Sequence, residues 1–541
     1  MQIKQITTNP FNDQKPGTSG LRKKAKLLTD TPSYLENYVQ AIFNVADVKG
    51  KTYVLGGDGR YFNRQAIQTI IKMAIASEVG HLIIGQNGFF STPAVSCVIR
   101  KLKTDGAIIL TASHNPAGPN GDFGIKFDVE NGGPAPERIM QEIYEESKKI
   151  TSYKIADMMD YDISVLGENK VEQTKITIIN PITDYVEMVK ELFDFDAIRG
   201  LFQKGFRMTY DAMNAVTGPY AKEIFENQLG APVGTVVNGV PKEDFGGLHA
   251  DPNLTYAKAL VDVMYGENAP DMGAASDGDG DRNMILGPSF FVNPSESVAI
   301  LASYWDKVKG YKGGLSGLSR SMPTSQSMDR VAADLGIPLY QTPTGWKYFG
   351  SLLDAGKISI CGEESFGAGS YHIREKDGLW SILYWLNILA VTGLSIPEVV
   401  KKHWEKYGRF YCLRYDFDSV PKEQGDAVMD GLISRLNSLV GKEFSCGKVV
   451  KAEEFTYTDP VSLEVASHEG IQIVLEGGHR MIYRLSGTGT QGATIRVYVE
   501  RAETKELDME VVDATRELIK TACEVAEIEK ITGRTEPSVV T

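Results

Sequence analysis

The sequence predicts an α/β protein: three blocks in which short strands alternate with helices, then a carboxyl-terminal α+β block. Three observations carry this. Apolar runs such as Tyr53-Val54-Leu55, His81-Leu82-Ile83-Ile84-Gly85 and Ala107-Ile108-Ile109 lack alternation, as strands buried on both faces do. Between the first two, Ile67, Ile70, Ile71, Ala74 and Ile75 recur at helical spacing, which makes a βαβ unit and a mostly parallel sheet. From about residue 409 the pattern changes, with strand-like Arg409–Tyr415 and Gln472–Leu475 and amphipathic helices over Ala427–Leu439 and Leu507–Ala526.

In chain order, Thr31-Pro32 reads as a helix start, threonine as cap and proline in the first turn. Leu35, Tyr38, Val39, Ile42 and Phe43 then supply one apolar face. The segment Lys170–Lys175 is polar and reads as a connection. Alternation resumes after about residue 180 and again after about 295. Each block carries a glycine-acid loop: Gly57-Asp58-Gly59, Gly278-Asp279-Gly280 and Gly362-Glu363-Glu364. The expected domains are therefore 1–180, 181–294, 295–408 and 409–541.

At 541 residues, 42% hydrophobic and 23% charged, the chain is long enough for several domains with ordinary cores. Its formal net charge of -13 disfavours nucleic acid and anionic membranes as partners. The five cysteines are scattered and show neither metal spacing nor a disulfide framework, which fits a reducing compartment. The start, Met1-Gln2-Ile3-Lys4-Gln5, lacks an apolar signal core. The apolar run Leu379–Val391 is shorter than the ~20 residues of a membrane span and reads as a buried helix. The expectation is a cytoplasmic protein with no membrane span.

Polar chemistry concentrates in a few places. The strand over Ala107–Ile109 runs into Leu110-Thr111-Ala112-Ser113-His114-Asn115-Pro116, which puts a hydroxyl and an imidazole at the sheet's carboxyl edge, where open α/β sheets bind ligands. Asn115-Pro116 forces a turn there. A hydrogen-bonded turn pair would look the same. Ser276-Asp277-Gly278-Asp279-Gly280-Asp281-Arg282 packs three carboxylates into five positions. Extended backbone would point them to one side, and three ionised carboxylates that close need water or a cation; hard oxygen donors suit Mg²⁺. An EF-hand fits poorly, because Arg282 and Pro288 stand where its glycine and glutamate belong.

Arg484-Leu485-Ser486-Gly487-Thr488-Gly489 offers backbone N–H groups for a phosphate nest, with Arg484 and Arg496 for charge-assisted bonds. Cys361-Gly362-Glu363-Glu364-Ser365-Phe366-Gly367 suits vicinal sugar hydroxyls, although two surface acids at a turn would read alike. Thr342-Pro343-Thr344-Gly345-Trp346 is a rigid loop that serves equally as a turn or a ligand contact.

Together with Lys15-Pro16-Gly17-Thr18-Ser19-Gly20-Leu21-Arg22, these motifs, in this order, resemble the phosphoglucomutases of the eukaryotic-type branch of the α-D-phosphohexomutase superfamily. The resemblance runs from about Gln14 to Thr541. It implies three related mixed α/β domains plus a carboxyl-terminal α+β domain around a central cleft, one loop from each domain. It implies Ser113 as phosphoserine, and Asp277, Asp279 and Asp281 as Mg²⁺ ligands together with an oxygen on Ser113. Glu363 and Ser365 match the sugar loop; Arg484, Ser486, Gly487, Thr488 and Arg496 match the phosphate loop. Thr18, Arg22, His114, Lys126, Arg282, Thr344, Gly345 and Lys376 match other cleft positions.

The implied reaction is reversible interconversion of α-D-glucose 1-phosphate and glucose 6-phosphate through glucose 1,6-bisphosphate, with a hexose phosphate as partner and a monomer or weak dimer as the working unit. His114 and Lys126 both qualify as proton acceptor. Alternatives are a phosphomannomutase-type hexose mutase and a scaffold or secretion-related phosphoprotein of the same family. The chain departs from the family pattern at Ala117, at Ser276, over Gly246–Asp251, and at Gln326-Ser327 after the run Ser321-Met322-Pro323-Thr324-Ser325. None of these removes an implied ligand.

Overall fold

The structure, a computed structural model, describes residues 1–489 and 492–541; the side chains of 487–489 lie outside that description. The predicted alternation becomes three mixed sheets built to one plan. In the first, Thr52–Gly57 and Gly106–Leu110 run parallel, and Asp122–Val129 returns antiparallel beside Gly106–Leu110. In the second, Met208–Asp211 and Met272–Ala275 are parallel and Met284–Gly287 returns antiparallel. In the third, Leu318–Ser321 and Ile360–Glu363 are parallel and Gly367–Ser370 returns antiparallel.

The shared plan relocates the echo read from the sequence. Ser113, the three aspartates and Ser365 all lie between a parallel strand and its antiparallel return, at the carboxyl end of the former. Gly57-Asp58-Gly59 is not equivalent to them. It ends Thr52–Gly57, whose counterparts are Met208–Asp211 and Leu318–Ser321. The last unit is an antiparallel sheet that includes Arg409–Val420, Ile471–Leu475, Arg480–Gly489 and Gly492–Glu503, with helices Lys422–Leu439 and Val511–Val525 packed against it.

Two local expectations change. The first long helix begins at Tyr34, not at Thr31, because a short helix Ala25–Asp30 precedes it and Thr31 closes that one. The polar segment around Lys170–Lys175 is a hairpin: Gly167–Val171 pairs antiparallel with Thr174–Ile179, which joins the first sheet beside His81–Phe89. Its outer strand is exposed and charged, the usual protection of a sheet edge.

The apolar run is the helix Gly378–Thr392, buried from Gly378 to Leu389. Its polar interruptions are satisfied: the Ser381 hydroxyl donates to the Asp377 carbonyl and the Asn387 amide to the Lys307 carbonyl. Among the described residues no single helix is long and apolar enough to cross a membrane.

His403, on the next helix Ile396–Tyr407, is 2% exposed and lies between the hydroxyls of Ser327 (2.7 Å) and Ser303 (3.3 Å). Burial pulls its pKa down to about 3. A histidine lowered on folding contributes stability that is complete above its unfolded pKa and is lost as pH falls toward the folded value. Between pH 7 and pH 5 the wild-type chain should therefore lose roughly 2 kcal/mol more than His403→Gln, at about 1.4 kcal/mol per pH unit below 6.5. Urea unfolding of both at the two pH values measures the difference; equal losses would show that His403 titrates normally.

Candidate active site

Ser113 lies just past Gly106–Leu110 in a turn that the surrounding residues hold under strain. Its φ is +51°, a conformation uncommon outside glycine and typical of functional turns. The backbone N–H of Ser113 donates to the Thr111 hydroxyl (2.8 Å), and its carbonyl accepts from Arg60 Nη2 (2.7 Å). Asp58 completes the brace, accepting from the Thr111 hydroxyl at 2.6 Å and pairing with Arg60 Nε at 2.9 Å. The brace leaves the Ser113 hydroxyl facing the next loop, where it donates to Asp277 Oδ2 at 2.7 Å and lies 3.3 Å from His114 Nδ1.

The three aspartates converge, though not through an extended backbone. Residues 278–280 form a turn, closed by the Gly280 N–H donating to the Asp277 carbonyl (3.2 Å), and Gly280 has a φ of +80°. One carboxylate oxygen from each of Asp277, Asp279 and Asp281 lies within 4.8 Å of the others, all buried. Lys126 Nζ bridges two of them, 2.7 Å from Asp279 and 3.4 Å from Asp281, and Lys376 Nζ is 3.2 Å from Asp281.

The electrostatics follow from that packing. Burial and then the charges of Asp281 and Asp279 push Asp277 well above the usual carboxylate range. Burial also opposes the charge on Asp279, but the Lys126 ammonium and the Thr92 hydroxyl outweigh it and hold that carboxyl low. The Lys126 ammonium is disfavoured by burial, yet Asp279 and Asp281 keep its pKa above the lysine norm. Burial and the nearby cations Arg282, Arg22 and Lys376 push His114 well below the histidine norm, so its imidazole is neutral.

The donor set fits a divalent cation. Asp279 Oδ1 and Asp281 Oδ1 are buried without a hydrogen-bond partner, and hard carboxylate oxygens at this mutual spacing suit Mg²⁺ or a similar ion.

Lys126 and Asp281 reach a cavity of about 230 Å³ walled by all four units, whereas Ser113, His114, Asp277 and Asp279 do not line it. Thr18, Lys126, Asp281 and Arg282 line one side. Thr344, Gly345, Glu363, Ser365 and Lys376 line the third unit's side, with the Gly345 N–H donating to Glu363 Oε1 at 2.7 Å. Arg484, Ser486 and Arg496 come from the last sheet, the two arginines being cross-strand partners. Arg22 does not line the cavity; it sits at the turn, with Nη1 3.4 Å from Asn115 Oδ1. The side chains of Gly487 and Thr488 lie outside the described residues.

Sequence reasoning missed several participants. The Asp58–Arg60 brace was visible only as a glycine-acid loop, with nothing to tie it to Ser113. Thr92, whose hydroxyl donates to Asp279 Oδ2 at 2.7 Å, sits at a helix start with no local signal. Asp128 had one: it is two residues past Lys126 on the strand Asp122–Val129, hence on the same face. It lines the cavity beside Glu375, and burial pushes it up to about 7.

Comparison with known proteins yields consistent matches. Residues 13–154, 183–289 and 293–407 match the patterns described as phosphoglucomutase/phosphomannomutase alpha/beta/alpha domains I, II and III. Residues 409–538 match the phosphoglucomutase-1 C-terminal domain. The chain is 52% identical to a phosphoglucomutase of Rhizobium radiobacter over 542 residues, covering all of both chains. It is 47% identical to phosphoglucomutase-1 of Homo sapiens, again over the full length of both. It is 49% identical to a chloroplastic phosphoglucomutase of Solanum tuberosum, covering all of this chain and 88% of that one. Among solved structures it superposes on the exocytosis-sensitive phosphoprotein pp63/parafusin, a phosphoglucomutase from Paramecium, in its open form. The TM-score is 0.93 at 44% identity, covering 100% of this chain and 99% of that one. A putative phosphomannomutase from Thermus thermophilus shares the fold, with a TM-score of 0.69 at 21% identity.

Proposed function

The chain belongs to the phosphoglucomutase family, and from that premise we infer that it interconverts α-D-glucose 1-phosphate and glucose 6-phosphate through a phosphorylated Ser113. The observation that carries this reading is the Ser113 hydroxyl, 2.7 Å from Asp277 in a carboxylate cluster whose Asp281 lines a cavity shared with Arg484 and Arg496.

Phosphoryl transfer depends mainly on positioning and charge neutralisation. Phospho-Ser113 gives its phosphoryl group to the 6-hydroxyl of glucose 1-phosphate: the bond from Oγ to phosphorus breaks, a bond from O6 to phosphorus forms, and the hydroxyl proton leaves to a base. The glucose 1,6-bisphosphate turns over in the cavity, the bond from O1 to phosphorus breaks as one from Ser113 Oγ to phosphorus forms, the Ser113 proton passes to O1, and glucose 6-phosphate departs. In this reading His114, 3.3 Å from the Ser113 hydroxyl, is the base, because Lys126 is committed to Asp279 and Asp281.

A divalent cation, Mg²⁺ on this donor set, would be held by Asp277, Asp279, Asp281 and an oxygen on Ser113, and would neutralise charge on the phosphoryl group. Glu363 and Ser365 hold sugar hydroxyls, with Thr344, Gly345 and Lys376 beside them. Arg484, Ser486, Gly487, Thr488 and Arg496 hold the phosphate that is not reacting. Thr18 and Arg282 line the cavity with them, and Arg22 sits at the Ser113 turn. Five free cysteines support a reducing, cytoplasmic setting. The units 1–180, 181–294, 295–408 and 409–541 each contribute residues to the cavity.

Coupled assay of glucose 6-phosphate formation from glucose 1-phosphate and Mg²⁺ tests the reading; a preparation inactive even with added glucose 1,6-bisphosphate would refute it. Arg484→Ala should weaken sugar-phosphate affinity by about 1.5–3 kcal/mol, the range for hydrogen bonds to charged groups. Turnover should fall with it, because the same grip aligns the sugar. Wild-type KM and kcat in that variant would place the remote phosphate elsewhere.

A further inference from the structure

The run Ser321-Met322-Pro323-Thr324-Ser325 takes no part in the chemistry above, yet two buried guanidinium groups converge on it. Arg320 Nη1 donates to the carbonyls of Met322 (3.3 Å) and Thr324 (3.2 Å) from within the third unit. Arg480, from the last unit, reaches the same two carbonyls with Nη1 (2.9 Å) and Nη2 (2.8 Å). Arg480 is 1% exposed, and its charge is balanced by Glu500 Oε1 at 3.1 Å from Nε. Gln326, where the family pattern has a smaller residue, adds to the joint: its amide donates to Glu500 and to the Gly478 carbonyl, both at 2.8 Å.

The far side of the run points at the sugar loop. The Thr324 hydroxyl accepts from the Glu364 N–H at 2.9 Å, and the Ser321 hydroxyl donates to Glu364 Oε2 at 3.2 Å. Glu364 sits between Glu363 and Ser365, so its anchoring sets where those two present their oxygens. On the other side, Arg480 and Arg484 lie four residues apart on one strand, hence on one face. A rigid strand thus joins the arginine that lines the cavity to the arginine that grips the run.

We propose that Arg480 and Thr324 are positioning residues that tie the phosphate-gripping strand to the sugar loop, so that hold on the remote phosphate and recognition of the sugar hydroxyls are set through one buried bridge. The proposal rests on the functional reading above. Neither residue lines the cavity. Their effect is to register two recognition surfaces, supplied by different units, against each other through the 321–325 run. A bridge of this kind acts on a ligand that spans both surfaces and leaves one that fills only the phosphate loop unaffected when the Thr324 end is cut.

The test uses the full chain and three probes: glucose 1-phosphate, its 4-epimer galactose 1-phosphate, and inorganic phosphate as inhibitor. Thr324→Val should raise KM for glucose 1-phosphate about 10-fold, the scale of a buried group left unmatched. The kcat/KM preference for glucose over galactose should shrink by a similar factor, with inhibition by inorganic phosphate within about twofold of wild type. Thr324→Ser, which keeps the hydroxyl, should behave as wild type. Arg480→Lys should weaken both inorganic phosphate and sugar selectivity, and combining it with Thr324→Val should cost no more selectivity than the worse single variant. If Arg480→Lys does not fold, the Thr324 pair decides alone. An active wild type with unchanged selectivity in Thr324→Val, or Thr324→Ser as damaged as valine, would overturn the bridge. A wild type without mutase activity would instead overturn the functional reading.

Discussion

Replacing Ser113 by alanine should abolish mutase turnover, by at least about 10³-fold, the scale on which removal of a nucleophile that works as part of a unit is felt. The expectation follows from how the turn is held. Thr111 and Arg60 restrain the Ser113 backbone at a φ of +51°, and both contacts involve atoms that alanine keeps. The variant therefore loses the hydroxyl and little else: Asp277 and His114 stay in place, and sugar phosphate should still bind. Intact mass after incubation with glucose 1,6-bisphosphate is the deciding measurement. The wild-type chain should gain one phosphate and Ser113→Ala none. An adduct on both would make another residue the carrier.

The second large effect should come from Asp279→Asn. Asp279 accepts from Lys126 and the Thr92 hydroxyl, each at 2.7 Å, and its other oxygen is buried without a partner. The amide is nearly isosteric but removes the negative charge of Asp279 and presents a donor to Lys126 on one of its two rotamers. Charge that acts as the phosphoryl group moves lowers kcat more than it raises KM. The expected loss in kcat is about 10²–10³-fold, comparable to removing one preorganised electrostatic contact, with KM within severalfold. The Mg²⁺ concentration for half-maximal activity should rise as well. An unchanged kcat at saturating Mg²⁺ would remove Asp279 from the cation site.

Much of this site was legible because its chemistry is written in short local runs. The Ser113 turn directly follows a strand that its own β-branched composition announces, and the aspartates are two residues apart. Asp128 carried a signal, alternation from Lys126, that was not read. The Asp58–Arg60 brace, Thr92 and the Arg480–Thr324 bridge were not legible, because each joins residues far apart in the chain through contacts that leave no periodic trace. The helix start at Tyr34 was misplaced because Thr31 carries both a starting and a stopping signal, and only the preceding helix chooses between them. The Lys170–Lys175 hairpin was misread because an exposed edge strand has the polarity of a loop.

The sequence by itself therefore determined the strand and helix alternation, the switch to a different pattern near residue 409, and the residue types available for phosphoryl transfer. Those follow from local hydrophobic period and side-chain chemistry. Only the tertiary structure decided that the loops after two topologically equivalent strands face one cavity while the third, with Ser113, meets the aspartates, that a turn brings the aspartates together, and that Lys126 is held as a cation while His114 is neutral. The reason is physical. Burial and charge are properties of a neighbourhood, and the contacts of Ser113 with Asp277 and of Lys126 with Asp279 join residues more than a hundred positions apart. No window of sequence contains them.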